Sequence, residues 1–144
     1  SLNDKTVAIL GVTFKPNTND MRNAASLTIV PALVGGGANV RVVDPQGQRE
    51  GEALLPGVVW HDDPYEAVQN AELVVILTEW NEFRALDLTK LAKAMDNPQM
   101  ADLRNIYSPH DAKRAGFARY DCIGRTRIGV TASDTHSFKK SKEY

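Results

Sequence analysis

Hydrophobic residues along this chain fall into short runs, which are separated by polar segments that contain glycine and proline. The runs at 6–13 and 73–78 are almost continuously apolar and rich in valine, isoleucine and leucine. Runs of this length and composition are typical of strands that are buried on both faces of a sheet. Further strands are predicted where shorter apolar or alternating segments occur, at 39–44, 58–60, 100–103 and 120–124.

Helical patterns occupy most of the intervals between these strands. Ser26 precedes the apolar stretch 27–34, which ends at three glycines, so we predict a helix that Ser26 caps at its amino terminus. Pro31 lies beyond the first turn of this helix and is expected to kink it. Asp63 and Asp87 have the position of amino-terminal caps in two further helices. The remaining helices are predicted at 64–70, 88–95 and 110–116.

The alternation of strands and helices predicts an α/β fold. Strand–helix–strand units place parallel strands side by side and leave helices on both faces of the sheet. We therefore predict a three-layer, Rossmann-like domain over residues 1–125, with a parallel sheet of five or six strands. Residues 126–144 are rich in serine, threonine and lysine and poor in large apolar side chains, which indicates a polar carboxy-terminal tail.

Composition narrows the classes of function. A net charge of −1 over 144 residues argues against binding to nucleic acid or to an anionic membrane surface. No apolar run has the length that spans a bilayer. The one cysteine, Cys122, cannot form an internal disulfide, so we predict a cytoplasmic protein in which this thiol is buried and inert. The chain does not begin with Met, which we interpret as the sign of a processed or excised fragment.

Basic residues lie in loops that follow two of the predicted strands. In open α/β sheets, ligands bind beyond the carboxyl ends of the strands, where the strand order reverses. Lys15 and Arg22 follow the first strand, and Arg104 follows the strand at 100–103. Because arginine can hold a phosphate through two parallel hydrogen bonds, these cations form a candidate anion pocket. The alternative is that they are ordinary solvated loop residues.

The usual signatures of a cofactor or metal site do not occur. The loop that begins at Gly11 lacks G-x-G-x-x-G spacing, and no helix starts directly after the strand, so no dinucleotide site is indicated. A Walker A loop is also absent. The three histidines are scattered without metal-ligand spacing, and we predict no metal site.

The segment Phe14-Lys-Pro-Asn-Thr-Asn-Asp-Met-Arg22 is more specific than the patterns above. It resembles the F-K-x-x-T-x-D-x-R loop of the UDP-glucose/GDP-mannose dehydrogenase family. Four more segments match the family in its order: Val43-Asp-Pro45, Thr78-Glu-Trp-Asn-Glu-Phe83, Asp102-Leu-Arg-Asn105 and Gly124-Arg125. The series covers most of the chain, and the form of the first loop is more similar to the UDP-glucose branch than to the GDP-mannose branch.

The resemblance implies a role within a larger enzyme. Such enzymes have an amino-terminal NAD-binding domain, a central helical domain that builds the dimer, and a carboxy-terminal domain that closes over the nucleotide-sugar. They oxidise the sugar C6 alcohol to a carboxylate in two NAD-dependent steps, through a thiohemiacetal on a cysteine. By position in the motifs, Phe14, Lys15 and Arg104 would contact the UDP-sugar, and Arg22 would reach NAD.

The same resemblance implies that this chain is inactive alone. The catalytic cysteine and the NAD fingerprint would belong to the missing domains, which are its expected partners together with a second subunit. The alternative function is a free-standing nucleotide-binding or regulatory module of the same fold. A small complete enzyme of flavodoxin-like fold ranks third, since no acid–base or nucleophile set is assembled in the sequence.

Other motif residues have structural interpretations beside the functional ones. Many relatives have glycine where this chain has Leu103, so the backbone there is expected to be right-handed helical or extended. Phe14 could be a lid on the edge of the sheet rather than a ligand contact. The remaining expectations are a turn or an ion pair to Arg22 for Asp20, a turn for Asp44, and core or interdomain packing for Trp80.

Overall fold

Six parallel strands form one sheet in the computed structural model of this chain, which describes residues 1–123. In chain order the strands are β1 (Thr6–Leu10), β2 (Asn39–Val43), β3 (Val59–Trp60), β4 (Leu73–Ile76), β5 (Gln99–Asp102) and β6 (Arg119–Cys122). Their order across the sheet is β3-β2-β1-β4-β5-β6, and every neighbouring pair is parallel. The order reverses between β1 and β4, where a doubly wound fold offers a crevice to ligands.

Helices cover both faces of this sheet and complete three layers. They are α1 (Ser26–Gly35), α2 (Gln48–Leu54), α3 (Pro64–Ala67), α4 (Asn81–Arg84), α5 (Leu88–Ala94) and α6 (Pro109–Ala115). Successive residues of β1 alternate between the faces. Val7 and Ile9 pack in the cluster that includes α1, whereas Ala8 and Leu10 pack in the cluster that includes α3, α5 and α6. The predicted three-layer, Rossmann-like α/β fold is therefore confirmed.

Two helix starts agree with the sequence patterns. The Asp63 carboxylate accepts a hydrogen bond from the Tyr65 backbone N–H at 2.9 Å and caps α3. The Asp87 carboxylate accepts bonds from the backbone N–H groups of Thr89 and Lys90, at 3.0 and 3.2 Å, and caps α5. Both carboxylates satisfy donors that a helix leaves unpaired in its first turn. The first of these helices is shorter than predicted, since α3 ends at Ala67.

The prediction that Ser26 caps α1 is wrong. Ala25 occupies the cap position, and Ser26 is the first residue of the helix. Its hydroxyl donates to the backbone carbonyl of Val12 at 2.6 Å, so it joins α1 to the end of β1. A tertiary hydrogen bond has replaced the local one that the sequence suggested. Pro31 lies inside α1, which continues past it to Gly35.

The sequence patterns missed two short helices. α2 is polar and contains Gly51, and glycine is a poor helix former. A Cβ atom at Gly51 would lie 2.4 Å from the Trp60 ring, so this glycine allows α2 to pack closely against β3. α4 has four residues, which is too few to display a helical period.

The end of the predicted domain lies near the end of the described residues. β6 pairs in register with β5, with Gln99 opposite Arg119 and Asp102 opposite Cys122. The Gly124-Arg125 motif and the tail predicted at 126–144 lie outside the described residues. The domain boundary at residue 125 therefore stays a prediction.

Candidate functional site

The crevice between β1 and β4 is closed at its base by a close approach of two backbone segments. Gly11 follows β1 with a φ of +91°, a conformation that favours glycine. A Cβ atom at this position would lie 2.5 Å from the Cβ atom of Thr78 and 2.8 Å from its backbone nitrogen. The Thr78 hydroxyl in turn donates to the Thr13 carbonyl at 2.7 Å. These contacts fix the direction in which the chain leaves β1.

A buried carboxylate at the end of β2 orders the same segment. The Asp44 side chain accepts five hydrogen bonds, from donors in two parts of the chain. One oxygen binds the backbone N–H groups of Val12 and Thr13 and the Thr13 hydroxyl, and the other binds those of Gln46 and Gly47. Both oxygens are thus occupied within the protein. The expected turn-forming role of Asp44 is confirmed, and its position suits a ribose contact poorly.

Residues 14–22, which we call the cation loop, extend from this anchored segment. The backbone N–H of Phe14 donates to the Asp20 carbonyl at 2.8 Å and closes the loop. The Phe14 side chain is 44% exposed and the Lys15 side chain is also exposed. Both therefore lie at the surface beside the crevice, in position for contact with a bound molecule.

Arg22 lies at the far end of the cation loop and is held by Asp20. The Asp20 carboxylate accepts bonds from the backbone N–H and the Nε of Arg22, at 2.9 and 3.0 Å, and from an Nη atom at 2.9 Å. These hydrogen bonds lower the pKa of Asp20 from 3.8 to about 2. The Arg22 side chain is 88% exposed. The expected structural role of Asp20 is confirmed, and Arg22 presents a fixed charge to the solvent.

Arg104 crosses the end of β4 and reaches the cation loop. Its Nε donates to the Leu77 carbonyl at 2.8 Å and lies 3.7 Å from a carboxylate oxygen of Glu79. One Nη atom lies 3.5 Å from the carbonyl oxygen of Phe14. Within residues 1–123, the other Nη group of Arg104 makes no hydrogen bond, so it keeps donors for a further acceptor.

The backbone around Arg104 has the form that we expected. Leu103 is not among the residues of positive φ, and Asn105 takes that conformation instead, with a φ of 55°. Asparagine tolerates the left-handed region better than leucine does. The turn itself lies at Leu103 and Arg104, and the residue of positive φ follows it directly.

A buried network lies beneath this turn. The carboxylate of Asp102, which is fully buried, accepts hydrogen bonds from the backbone N–H groups of Arg104 and Tyr107 and from the Tyr120 hydroxyl. The Tyr107 hydroxyl donates to the Phe83 carbonyl in α4. Burial, and secondarily the charge of Asp102, raises the pKa of Tyr107 above its ordinary value. Nothing in the sequence patterns pointed to this network.

Three of the four predicted site residues therefore lie close together. Phe14 and Lys15 adjoin each other in the cation loop, and Arg104 reaches the Phe14 backbone from the other side of the crevice. Arg22 pairs with Asp20 instead, and within residues 1–123 no hydrogen bond or ion pair joins it to Arg104. The arrangement provides positive charge at the switch point, together with Nη donors of Arg104 that have no acceptor among residues 1–123, and this suits a phosphate group.

Comparison with known proteins identifies the family. Residues 8–109 match the model of the UDP-glucose/GDP-mannose dehydrogenase family, UDP binding domain. The chain belongs to this family. The match includes all of the crevice residues described above and confirms the resemblance that the sequence motifs indicated.

Relatives of this UDP-binding domain are longer proteins. The chain is 48% identical over 119 residues to the UDP-glucose 6-dehydrogenase of Rhizobium meliloti (strain 1021), covering 83% of this chain and 27% of that protein. It is 36% identical over 138 residues to the UDP-glucose 6-dehydrogenase TuaD of Bacillus subtilis (strain 168), covering 94% of this chain and 30% of that protein. The chain therefore spans less than a third of the length of these relatives.

Solved structures of the family have the same fold. The NDP-N-acetyl-D-galactosaminuronic acid dehydrogenase of Methanosarcina mazei Go1 superimposes with a TM-score of 0.74 at 31% identity, covering 94% of this chain and 26% of that chain. The UDP-glucose dehydrogenase of Pyrobaculum islandicum gives a TM-score of 0.69 at 29% identity, covering 83% and 25%. The domain described here corresponds to about a quarter of each enzyme.

A second cleft, of about 520 Å³, opens on the same rim of the UDP-binding domain. Its apolar lining includes Val43, Phe83 and Leu86, and its polar lining includes Arg49 and Glu82. None of the four predicted site residues lines it. Part of its wall comes from α2 and α4, the two helices that left no periodic pattern, and the sequence analysis did not predict this cleft.

The remaining candidate residues have structural positions. Trp80 is 2% exposed and lies in the core, which was one of the two positions expected for it. Cys122 is half-buried and packs against the same core cluster, so it is less buried than expected. Within residues 1–123, no three His, Cys, Asp or Glu side chains are grouped as metal ligands. In that same range, no helix is both long enough and apolar enough to cross a bilayer.

Proposed function

We propose that this chain is the UDP-sugar-binding part of an NAD-dependent UDP-glucose 6-dehydrogenase, and that Phe14, Lys15 and Arg104 contact the UDP-sugar. The observation that carries the proposal is the position of Arg104. Its guanidinium lies across the end of β4, reaches the Phe14 backbone and keeps Nη donors unpaired within residues 1–123. The identity of 48% with a UDP-glucose 6-dehydrogenase supports this substrate.

The charges around the crevice suit a pyrophosphate. Arg104 can donate two parallel hydrogen bonds to one phosphate, and the Lys15 ammonium adds a second positive charge. The exposed ring of Phe14 can pack against an apolar face of the ligand. Glu79, near Arg104, would repel the pyrophosphate if it came close, so we infer that it orients the guanidinium from the side away from the ligand.

NAD, in this proposal, is bound mainly by another domain of the enzyme. NAD accepts a hydride in each oxidation step when it is bound. Asp44 has both oxygens occupied, and the loop after β1 has no glycine-rich phosphate turn, so this domain offers no second NAD site at these positions. Arg22 projects from the surface and would meet NAD held by the amino-terminal domain. The NAD site and the catalytic cysteine would then lie outside this chain, which would be inactive alone.

The rest of the proposal concerns the complete protein. The relatives are three to four times longer than this chain, which supports missing NAD-binding and central domains as its covalent partners. We further propose a homo-oligomer in the cytoplasm, with residues 1–125 as the folded domain and 126–144 as a polar tail. The single cysteine in the sequence supports a reducing location.

Titration of this chain with UDP-glucose, followed through its amide chemical shifts, tests the ligand and the site. We expect shifts centred on Phe14, Lys15 and Arg104, and weaker ones with GDP-mannose. Lys15→Ala and Arg104→Ala should each weaken binding by roughly 10-fold or more, because each removes a hydrogen bond to a charged group. Lys113→Ala, which removes an exposed lysine from α6, is the matched control and should bind normally.

Two results would oppose this function. Normal binding by both Lys15→Ala and Arg104→Ala would show that the crevice cations do not hold the ligand. Turnover of UDP-glucose and NAD by the 144-residue chain would show that it carries its own cofactor site and nucleophile. Either result would require a different assignment of the site.

A further inference from the structure

We propose that Asp102 and Tyr120 are positioning residues, which hold Arg104 in the orientation that binds the anionic ligand. The proposal rests on the ligand role of Arg104 proposed above. It concerns two side chains that lie beneath the crevice and are fully buried. Neither has an exposed surface with which to touch the ligand, so each would act through the arginine.

The first observation is the way in which the Asp102 carboxylate divides its hydrogen bonds. One oxygen accepts from the backbone N–H of Arg104 at 3.2 Å. The other accepts from the backbone N–H of Tyr107 at 3.0 Å and from the Tyr120 hydroxyl at 2.6 Å. The same hydroxyl lies 2.8 Å from the Tyr107 carbonyl, so Tyr120 is bound to the segment on either side of its one proton. A buried carboxylate is stable only when its oxygens are satisfied, so these bonds constrain the segment on both sides of the turn.

The second observation is that the residue directly after β6 holds the same turn at another point. The Asn105 side chain donates to the Ile123 carbonyl at 3.1 Å and accepts from the Ile123 backbone N–H at 3.0 Å. Asn105 is the residue of positive φ that directly follows the turn at Leu103 and Arg104. Arg104 therefore lies between Asp102, which is bonded to Tyr120 in β6, and Asn105, which is bonded to Ile123 directly after β6.

The third observation is the distance that the Arg104 side chain spans. Arg104 spans from β5 across the end of β4 to the cation loop. A long side chain that must be ordered on binding loses rotamer entropy, and ordering it beforehand improves affinity. Its backbone is the part that Asp102 fixes directly. The Tyr120 hydroxyl, 2.6 Å from that carboxylate, helps to keep it in place.

Tyr120→Phe is the test, because it removes the hydroxyl and retains the buried ring. The matched control is Tyr65→Phe, whose hydroxyl accepts from the Asp87 backbone N–H at the start of α5. The first measurement needs no ligand: the ¹⁵N relaxation of the Arg104 Nε–H group in the 144-residue chain. We expect this group to become more mobile in Tyr120→Phe and to be unchanged in Tyr65→Phe.

The second measurement is the affinity for UDP in a double-mutant cycle. Tyr120→Phe should weaken UDP binding by about 3- to 10-fold, which is the range for one lost hydrogen bond. The same substitution should have no effect on the residual affinity of Arg104→Ala, because the arginine through which it acts is gone. A purely structural loss would lower the affinity equally in both backgrounds.

Asn105→Gly is a second variant in case Tyr120→Phe does not fold. Glycine accepts the positive φ at this position, while the two bonds to Ile123 are lost. The Arg104 Nε–H group should again become more mobile. An immobile group in every folded variant would overturn the positioning role, whatever the UDP affinity. If the group becomes mobile but UDP binding does not depend on Arg104, the positioning role stands and the proposed function fails.

Discussion

The cation loop and the turn that carries Arg104 lie on opposite sides of the crevice, and each is anchored by a buried aspartate. Asp44 binds the segment before the cation loop, so that Phe14 and Lys15 extend beyond the anchor as exposed side chains. Asp102 binds the backbone of Arg104 itself. The two sides therefore differ in what the aspartate holds: the segment before the site residues on one side, and the site residue itself on the other.

The largest expected effect on stability comes from the close approach of Gly11 and Thr78 at the base of the crevice. Gly11→Ala introduces a Cβ atom 2.5 Å from Thr78 at a φ of +91°, so backbone strain and crowding act together. We expect the free energy of unfolding to fall by roughly 2–5 kcal/mol. Chemical denaturation measures it. Gly35→Ala is the control, since no atom lies within 4 Å of a Cβ there, and it should be neutral or slightly stabilising.

The two anchors can be compared directly by substitution. Asp44→Ala leaves four backbone N–H donors without their acceptor, whereas Asp102→Ala leaves two. The Thr13 and Tyr120 hydroxyls are not counted, because each has a second acceptor in the carbonyl of Lys15 or Tyr107. We expect Asp44→Ala to lower the free energy of unfolding by about 3 kcal/mol, and Asp102→Ala by somewhat less. Urea denaturation of both variants measures the difference. A change of less than about 1 kcal/mol for Asp44→Ala would contradict the view that its hydrogen bonds hold the cation loop in place.

The two arginines of the site should differ in what they bind. Arg104→Ala should weaken UDP binding by roughly 10- to 100-fold, the range for a hydrogen bond between charged groups. Arg22→Ala should leave UDP binding unchanged, because the Arg22 guanidinium is paired with Asp20 and makes no bond to Arg104 within residues 1–123. Calorimetric titration of both variants gives the two dissociation constants. Equal losses would mean that the cation loop closes on the ligand along its whole length.

The smallest expected effect is the pH dependence of the cation loop. The bonds from Arg22 lower the pKa of Asp20 to about 2, below its ordinary value of 3.8. A lowered pKa means that the contact stabilises the folded chain above pH 3.8 and loses that contribution as the pH falls through about 2. The pair is exposed, so the contribution to stability is small. The Asp20 carboxyl carbon shift, followed by NMR against pH, should titrate near 2 in the wild type and nearer 3.8 in Arg22→Ala.

The sequence predicted the sheet well because strand signals are local. The apolar runs that form β1 and β4 are buried on both faces of the sheet, and their almost continuously apolar composition predicts this. The segments at 14–22 and 102–105 could also be recognised from the sequence, because each resembles a distinctive family motif. The family match bears out the identification that rested on them.

The anchors were not predictable because their partners are distant in the chain. Asp44 takes donors from a segment 31 to 32 residues earlier, and Asp102 takes one from Tyr120, 18 residues later. Ser26 misled the local interpretation for the same reason, since its hydroxyl found a partner 14 residues away instead of in its own helix. No periodic pattern encodes such pairs. They appear only when the strand order brings the loops together.

The measurement that tests the account most directly is a paired titration of this chain with UDP and with uridine. The two ligands share the nucleoside and differ by the pyrophosphate. If the crevice cations hold the pyrophosphate, UDP will shift the Arg104 Nε–H and Lys15 amide resonances, and uridine at the same concentration will leave both in place. Equal shifts from the two ligands, or UDP saturation without a change at Arg104, would contradict the assignment of the crevice as the phosphate site.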